Sequence, residues 1–123
     1  MFDLGQLQSG QRILIHGGSG GVGHFAVQLA KWKGAYVIAT ASTKNQELLR
    51  KLGADETIDY TTHKFEEVVE KIDLVLDTIG GETQERSWRV LNKGGALISL
   101  VQPPSEQKAK RFGRARNDVQ RSA

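Results

Sequence analysis

Ile13-Leu14-Ile15-His16-Gly17-Gly18-Ser19-Gly20-Gly21-Val22-Gly23-His24-Phe25-Ala26-Val27-Gln28-Leu29-Ala30 is the stretch whose reading decides the fold. An apolar run enters a glycine cluster, and the cluster opens onto a helical pattern, so the segment reads as strand, turn and helix. Gly18, Gly20 and Gly23 fit G-x-G-x-x-G. If the ligand is a dinucleotide, the first glycine permits the tight turn and the second lets main chain approach a pyrophosphate. The third lets the helix pack close to the strand. The first N–H groups of a helix lack intrahelical partners and sit at the positive end of its dipole, so an anion can bind there without a charged side chain.

Three glycines alone match many loops by chance, so the flanks carry the argument. Residues 13–15 are continuously apolar, as in a parallel strand buried on both faces. Val22, Phe25, Ala26, Leu29 and Ala30 recur at i, i+3, i+4, i+7 and i+8 and predict one buried helix face. Gly34 supplies a stop, and residues 36–41 read as a second strand.

The same alternation continues. Thr43-Lys44-Asn45-Gln46 has the capping-box form and predicts a helix from about Lys44, with Leu48, Leu49 and Leu52 inward and Gly53 at its end. Residues 56–60 read as a third strand, and Phe65, Val68, Val69 and Ile72 keep a helical spacing. Residues 74–76 form a fourth strand; Gly80-Gly81 turns into a helix over 83–91 carrying Trp88 inward; Lys93-Gly94-Gly95 is a turn; residues 96–101 form a fifth strand. Alternating strands and helices with right-handed crossovers predict an α/β, doubly wound parallel sheet of Rossmann type, about five strands in order 3-2-1-4-5. Beyond Pro103-Pro104 no strand-like run follows. A sixth strand is therefore expected to be missing, leaving strand five as an exposed edge made sticky by Leu97, Ile98, Leu100 and Val101, through which a homodimer could form.

At 123 residues the chain holds one domain, read as 1–105, followed by a basic, disordered tail over 106–123. Residues 1–105 carry 11 Lys and Arg against 12 Asp and Glu, whereas the tail carries 6 against 2. The tail has Phe112 as its one aromatic and no stripe at helical spacing, so neither nucleic acid nor a membrane surface is expected as partner. Absence of cysteine excludes disulfides, thiolate nucleophiles and cysteine-ligated zinc. No run of about 18 apolar residues and no signal-peptide pattern is present, and a cytoplasmic location is expected. His16 ends a strand, His24 opens a helix and His63 sits in a loop, so no metal site and no catalytic acid or base is assigned.

An NAD-specific site places an acid about 20 positions beyond the glycines to accept from the ribose 2'-hydroxyl. Here the second strand runs into Ser42-Thr43-Lys44, and the nearest acid, Glu47, lies a turn inside the following helix. The Ser42 and Thr43 hydroxyls and the Lys44 ammonium suit a 2'-phosphate, so NADP(H) is expected over NAD(H). A P-loop is excluded because Gly23 is followed by His24 and Phe25 rather than Lys and Ser or Thr. A methyltransferase would want the missing acid. Tyr60 and Lys64 fit the Y-x-x-x-K of short-chain dehydrogenases, but Tyr60 lies only 37 positions after Gly23, too early for that catalytic helix.

The run from Ile13 to Gly23, then Ala26-Val27-Gln28-Leu29-Ala30-Lys31, Leu52-Gly53-Ala54-Asp55, Ile58-Asp59-Tyr60, Asp77-Thr78-Ile79-Gly80-Gly81 and Leu91-Asn92-Lys93-Gly94-Gly95, resembles the cofactor domain of zinc-independent quinone oxidoreductases of the medium-chain dehydrogenase/reductase superfamily. The resemblance implies NADPH-dependent hydride transfer to a quinone or enone. It implies that Gly20, Gly21 and Val22 present main chain to the pyrophosphate, and that Ser42, Lys44 and Tyr60 surround the 2'-phosphate. Asp77 and Thr78 would line the adenosine side, and Ser99, Leu100 and Val101 would approach the nicotinamide. Members of that family also carry a substrate domain, so this chain is expected to be inactive alone. An enoyl reductase of the same superfamily and a non-catalytic NADPH-binding module are the alternatives.

Overall fold

The structure, a computed structural model, describes residues 7–17, 20–99 and 114–117. Its elements are β1 (Arg12–Ile15), α1 (Gly21–Trp32), β2 (Tyr36–Ala41), a 3-10 turn (Thr43–Asn45), α2 (Gln46–Leu52) and β3 (Glu56–Asp59). After these come α3 (Phe65–Val68), β4 (Ile72–Asp77), α4 (Gly81–Ser87), a second 3-10 turn (Trp88–Val90), β5 (Leu91–Ser99) and β6 (Arg114–Asn117). The strands form one parallel sheet in the order β3-β2-β1-β4-β5-β6.

Side-chain alternation divides each strand between two cores. Ile13 and Ile15 of β1 join Ala26, Val27 and Ala30 of α1 and Leu49 of α2 on one face. Leu14 joins Phe65 of α3, Val75 of β4, and Trp88 and Val90 on the other. Both faces being covered is the reason the strands are continuously apolar. The α1 face differs from the expected one by rotation: Gly23, Ala26, Val27 and Ala30 are buried, while Val22 and Phe25 remain 45% and 47% exposed. Small residues let the helix axis approach the sheet, whereas a phenylalanine there would hold it off.

Five strands in the order 3-2-1-4-5 stand as expected, but the missing sixth strand does not. Arg114–Asn117 pairs in parallel with β5, from Ala96↔Arg114 to Ser99↔Asn117. Pairing is made by main-chain N–H and C=O groups, and an open edge offers a full row of them whatever the incoming side chains are. Strand five is therefore an interior strand, and the edge on which the homodimer expectation rested is paired within the chain. The remaining tail residues, together with residues 1–6, Gly18, Ser19, Leu100 and Val101, lie outside the described residues.

Three helix boundaries also shift. α3 is one turn, because Val69 is already extended and Lys71 takes φ 59, so Ile72 opens β4 instead of closing a helix. The helix expected over 83–91 begins at Gly81 and tightens to 3-10 at Trp88. The turn at 93–95 is absorbed in β5 as an irregularity: Ile72 pairs Leu91, and Leu74 pairs Ala96.

Candidate functional site

The carboxyl ends of β1, β2, β3 and β4 meet at one side of the sheet, where the chain order reverses between β1 and β4. Open α/β sheets bind ligands in the crevice at such a switch point. At its floor the glycine turn leaves β1. Gly17 takes φ +70, and the Gly20 N–H donates to its carbonyl at 3.0 Å. Gly20 then caps α1 in extended conformation, and His24 N–H is bonded to the Gly20 carbonyl at 2.7 Å. The N–H groups of Gly21, Val22 and Gly23 precede the first intrahelical donor. Gly20, Gly21 and Val22 are exposed, no acid stands in the first turn, and a Cβ added to Gly21 would meet nothing within 4 Å. Gly23 is buried against the sheet, as its packing role requires.

A cavity of about 240 Å³ adjoins this turn, lined by His16, Thr40, Tyr60, Phe65, Ile79, Thr83 and Arg86. His16, the residue after β1, is buried, and burial pushes its pKa down to about 4. Its tautomer follows from its neighbours. The Ser87 hydroxyl donates to the Thr83 carbonyl at 2.6 Å, so its single hydrogen is used and it accepts from His16 Nε2 at 2.8 Å. His16 Nδ1 then accepts from the Thr40 hydroxyl at 3.3 Å, while Thr40 Oγ1 accepts from the Gly17 N–H at 3.3 Å. The neutral imidazole thereby ties the glycine turn to α4 through β2. Phe65 meets the ring edge-on at 4.5 Å, and the Arg86 guanidinium lies 5.1 Å from the Phe65 centroid. Arg86 Nη1 donates to both Glu66 carboxylate oxygens at 3.2 Å, which fixes that wall.

Asp77, expected to line the cleft, is instead fully buried beneath it. Its Oδ1 accepts from the Ile79 and Gly80 N–H groups at 2.9 and 2.8 Å, and its Oδ2 from Gln84 Nε2 and Ser99 Oγ at 3.1 and 3.2 Å. The carboxylate is thus a brace that shapes the loop after β4. Ser99 is buried with it and turned toward Asp77. The Thr78 hydroxyl is likewise engaged, donating to the His16 carbonyl at 2.7 Å, and Ile79 rather than Thr78 forms the cavity wall.

At the end of β2, the capping box does not form. Thr43 donates to Asp59 Oδ2, Ser42 Oγ accepts from Asn45 Nδ2 at 3.1 Å, and Gln46 Nε2 bonds the carbonyls of Ala41 and Ile58 at 3.0 and 3.2 Å. Tertiary partners outcompete the local cap, so the helix starts with a 3-10 turn. Lys44 is exposed and makes no ion pair among the described residues. Tyr60, 57% exposed, follows β3 and reaches the cavity.

The structure therefore puts Gly20, Gly21 and Val22 at the exposed start of α1 and Tyr60 in the cavity wall with His16, and sets Ser42, Thr43 and Lys44 at the neighbouring strand end. It turns Asp77 and Ser99 inward. Sequence reasoning missed His16, Thr40, Phe65, Thr83, Arg86 and Asp59; the first two were findable as the polar residues ending consecutive parallel strands. A second cavity of about 250 Å³ lies at the opposite ends of the strands, beside Gln11, Asp73 and Lys93, away from the glycine turn. Among the described residues no group of three or more His, Asp or Glu is placed to hold a metal ion, and no helix is long and apolar enough to cross a membrane.

Comparison with known proteins agrees with this geometry. A mitochondrial NAD(P)H oxidoreductase of zebrafish (Danio rerio) is 45% identical over 98 residues, which are 76% of this chain and 25% of that protein. A chloroplastic NADPH-dependent alkenal/one oxidoreductase of Arabidopsis thaliana is 41% identical over 104 residues, 80% of this chain and 26% of that protein. Both names specify organelles, which does not fit a purely cytoplasmic expectation. The quinone oxidoreductase of Coxiella burnetii superimposes with a TM-score of 0.84 at 35% identity, covering 91% of this chain and 37% of that one. The chain thus spans 25% and 26% of the lengths of these two curated relatives. The zinc-binding dehydrogenase family matches residues 21–118, and the chain belongs to that family, within the medium-chain dehydrogenase/reductase superfamily.

Proposed function

We propose that this chain is the NADP(H)-binding domain of an oxidoreductase that reduces a quinone or enone, and that the chain binds the nucleotide without turning substrate over. The observation that carries the reading is the exposed glycine turn opening beside a cavity at the switch point of the sheet. The residues fit the cofactor. Main-chain N–H groups of Gly21, Val22 and Gly23 would hold the pyrophosphate, Tyr60, Phe65, Ile79 and Arg86 would flank the adenosine, and Lys44 would face the 2'-phosphate. NADPH supplies a hydride, and an electron-poor acceptor needs little acid–base help and no zinc. The chain's own contribution is orientation, with the His16 and Asp77 networks keeping the cleft in shape. The names of the quinone and alkenal/one oxidoreductases support this substrate class.

The test is a fluorescence or calorimetric titration of the purified chain with NADPH and with NADH, beside an assay with a soluble quinone. Binding without turnover is expected. Lys44→Glu should weaken NADPH by about tenfold or more, as expected for reversing a charge beside a phosphate, while NADH changes by less than about twofold. Equal losses for both nucleotides would remove the 2'-phosphate assignment, and no binding of either would remove the function.

A further inference from the structure

Thr43 lies just beyond the end of β2, in the region where an NAD-specific site carries its acid, and here a carboxylate reaches it from the next strand. Asp59 ends β3 opposite Ala41 of β2. Its Oδ2 accepts the Thr43 hydroxyl, and its Oδ1 accepts the Thr61 N–H at 2.9 Å and the Thr61 hydroxyl at 2.5 Å. Thr43 Oγ1 and Thr61 Oγ1 are 3.1 Å apart, closing a small ring of polar groups. Donors converging on the carboxylate, Thr43 first and Thr61 second, hold its pKa below the ordinary range, so it is ionised at neutral pH.

We infer that Asp59 is a specificity-determining residue that opposes the 2'-phosphate and narrows the preference for NADPH over NADH. The inference rests on the nucleotide reading above. Two effects act in the same direction. The Thr43 hydroxyl, one of the donors at this strand end, is already committed to Asp59, and a phosphate must compete for it. The carboxylate also lies one hydrogen bond behind that donor and repels a second anion, offsetting part of the attraction of Lys44. A ribose hydroxyl meets neither penalty, because it is uncharged and can donate to Thr43 Oγ1 without displacing the Thr43–Asp59 bond.

The test compares the ratio of NADH to NADPH dissociation constants for the full chain and for Asp59→Asn, which removes the charge while keeping an acceptor for the Thr61 N–H. The ratio should rise about tenfold, as expected for losing one like charge near the phosphate, with NADH affinity within about twofold. Asp59→Ser, which also deletes the carboxylate, should give the same direction and serves if the Asn variant does not fold. A ratio unchanged in a folded variant, or a selective loss of NADPH, overturns the inference while leaving the nucleotide reading intact. If the unmodified chain binds neither nucleotide, that reading fails and the inference falls with it.

Discussion

Replacing Asp77 by alanine tests whether a buried carboxylate holds the cleft from below. Four donors converge on it, and of these the Gly80 N–H and Gln84 Nε2 are buried and the Ile79 N–H is partly so. Hydrogen bonds to a charged acceptor contribute about 1.5–3 kcal/mol each, and leaving a buried donor unmade costs about 1–3. Removing a buried charge returns part of this, because its desolvation cost disappears as well. Counting only the two loop N–H groups and allowing for that return, Asp77→Ala should destabilise the domain by about 3 kcal/mol, which at this size is a fall in Tm of roughly 10–15 °C. Asp77→Asn should cost less, about 1–2 kcal/mol, because Oδ1 still serves both loop N–H groups and the Ser99 hydroxyl can rotate to accept, leaving Gln84 Nε2 as the one donor that loses its acceptor. Urea unfolding followed by far-ultraviolet circular dichroism measures both. An alanine variant within about 1 kcal/mol of the parent, or an asparagine variant equally damaged, would refute the bracing role.

Two further predictions follow from the same cleft. Gly17→Ala places a Cβ 2.8 Å from Thr78 Oγ1 at a φ of +70, so it should cost about 1–2 kcal/mol and weaken NADPH, read by thermal melts and titration; an unaffected variant would count against the tight turn. His16 has a folded pKa of about 4 against an unfolded 6.5, so the unfolded chain binds more protons between those values. Its contribution is fully present above pH 6.5 and is lost as pH falls toward 4, roughly 3 kcal/mol in all. His16→Gln should flatten that part of the stability–pH profile, and an unchanged slope would contradict the buried neutral imidazole.

The strand order was legible because continuous apolar runs and glycine stops recur with parallel-sheet spacing, and β1, β2 and β4 lie where those patterns put them. The glycine turn was legible for the same reason. What escaped is everything decided by partners far along the chain. Thr43 and Gln46 have capping-box spacing, yet Asp59 and the Ala41 and Ile58 carbonyls claim their side chains. Asp77 sits where a ligand contact was expected, but Ser99 and Gln84 draw it inward. Phe25 kept the helical period and still faces outward, because smaller neighbours permit closer packing. β6 carried no hydrophobic pattern at all, since its place depends on an available row of main-chain groups.

That last strand sets a limit on how far the chain can be shortened. Ending it at Ser99 would strip β5 of its outer neighbour, and a product designed that way would meet other copies of itself through newly bared main chain. The shortest well-behaved version of this domain therefore ends after Asn117.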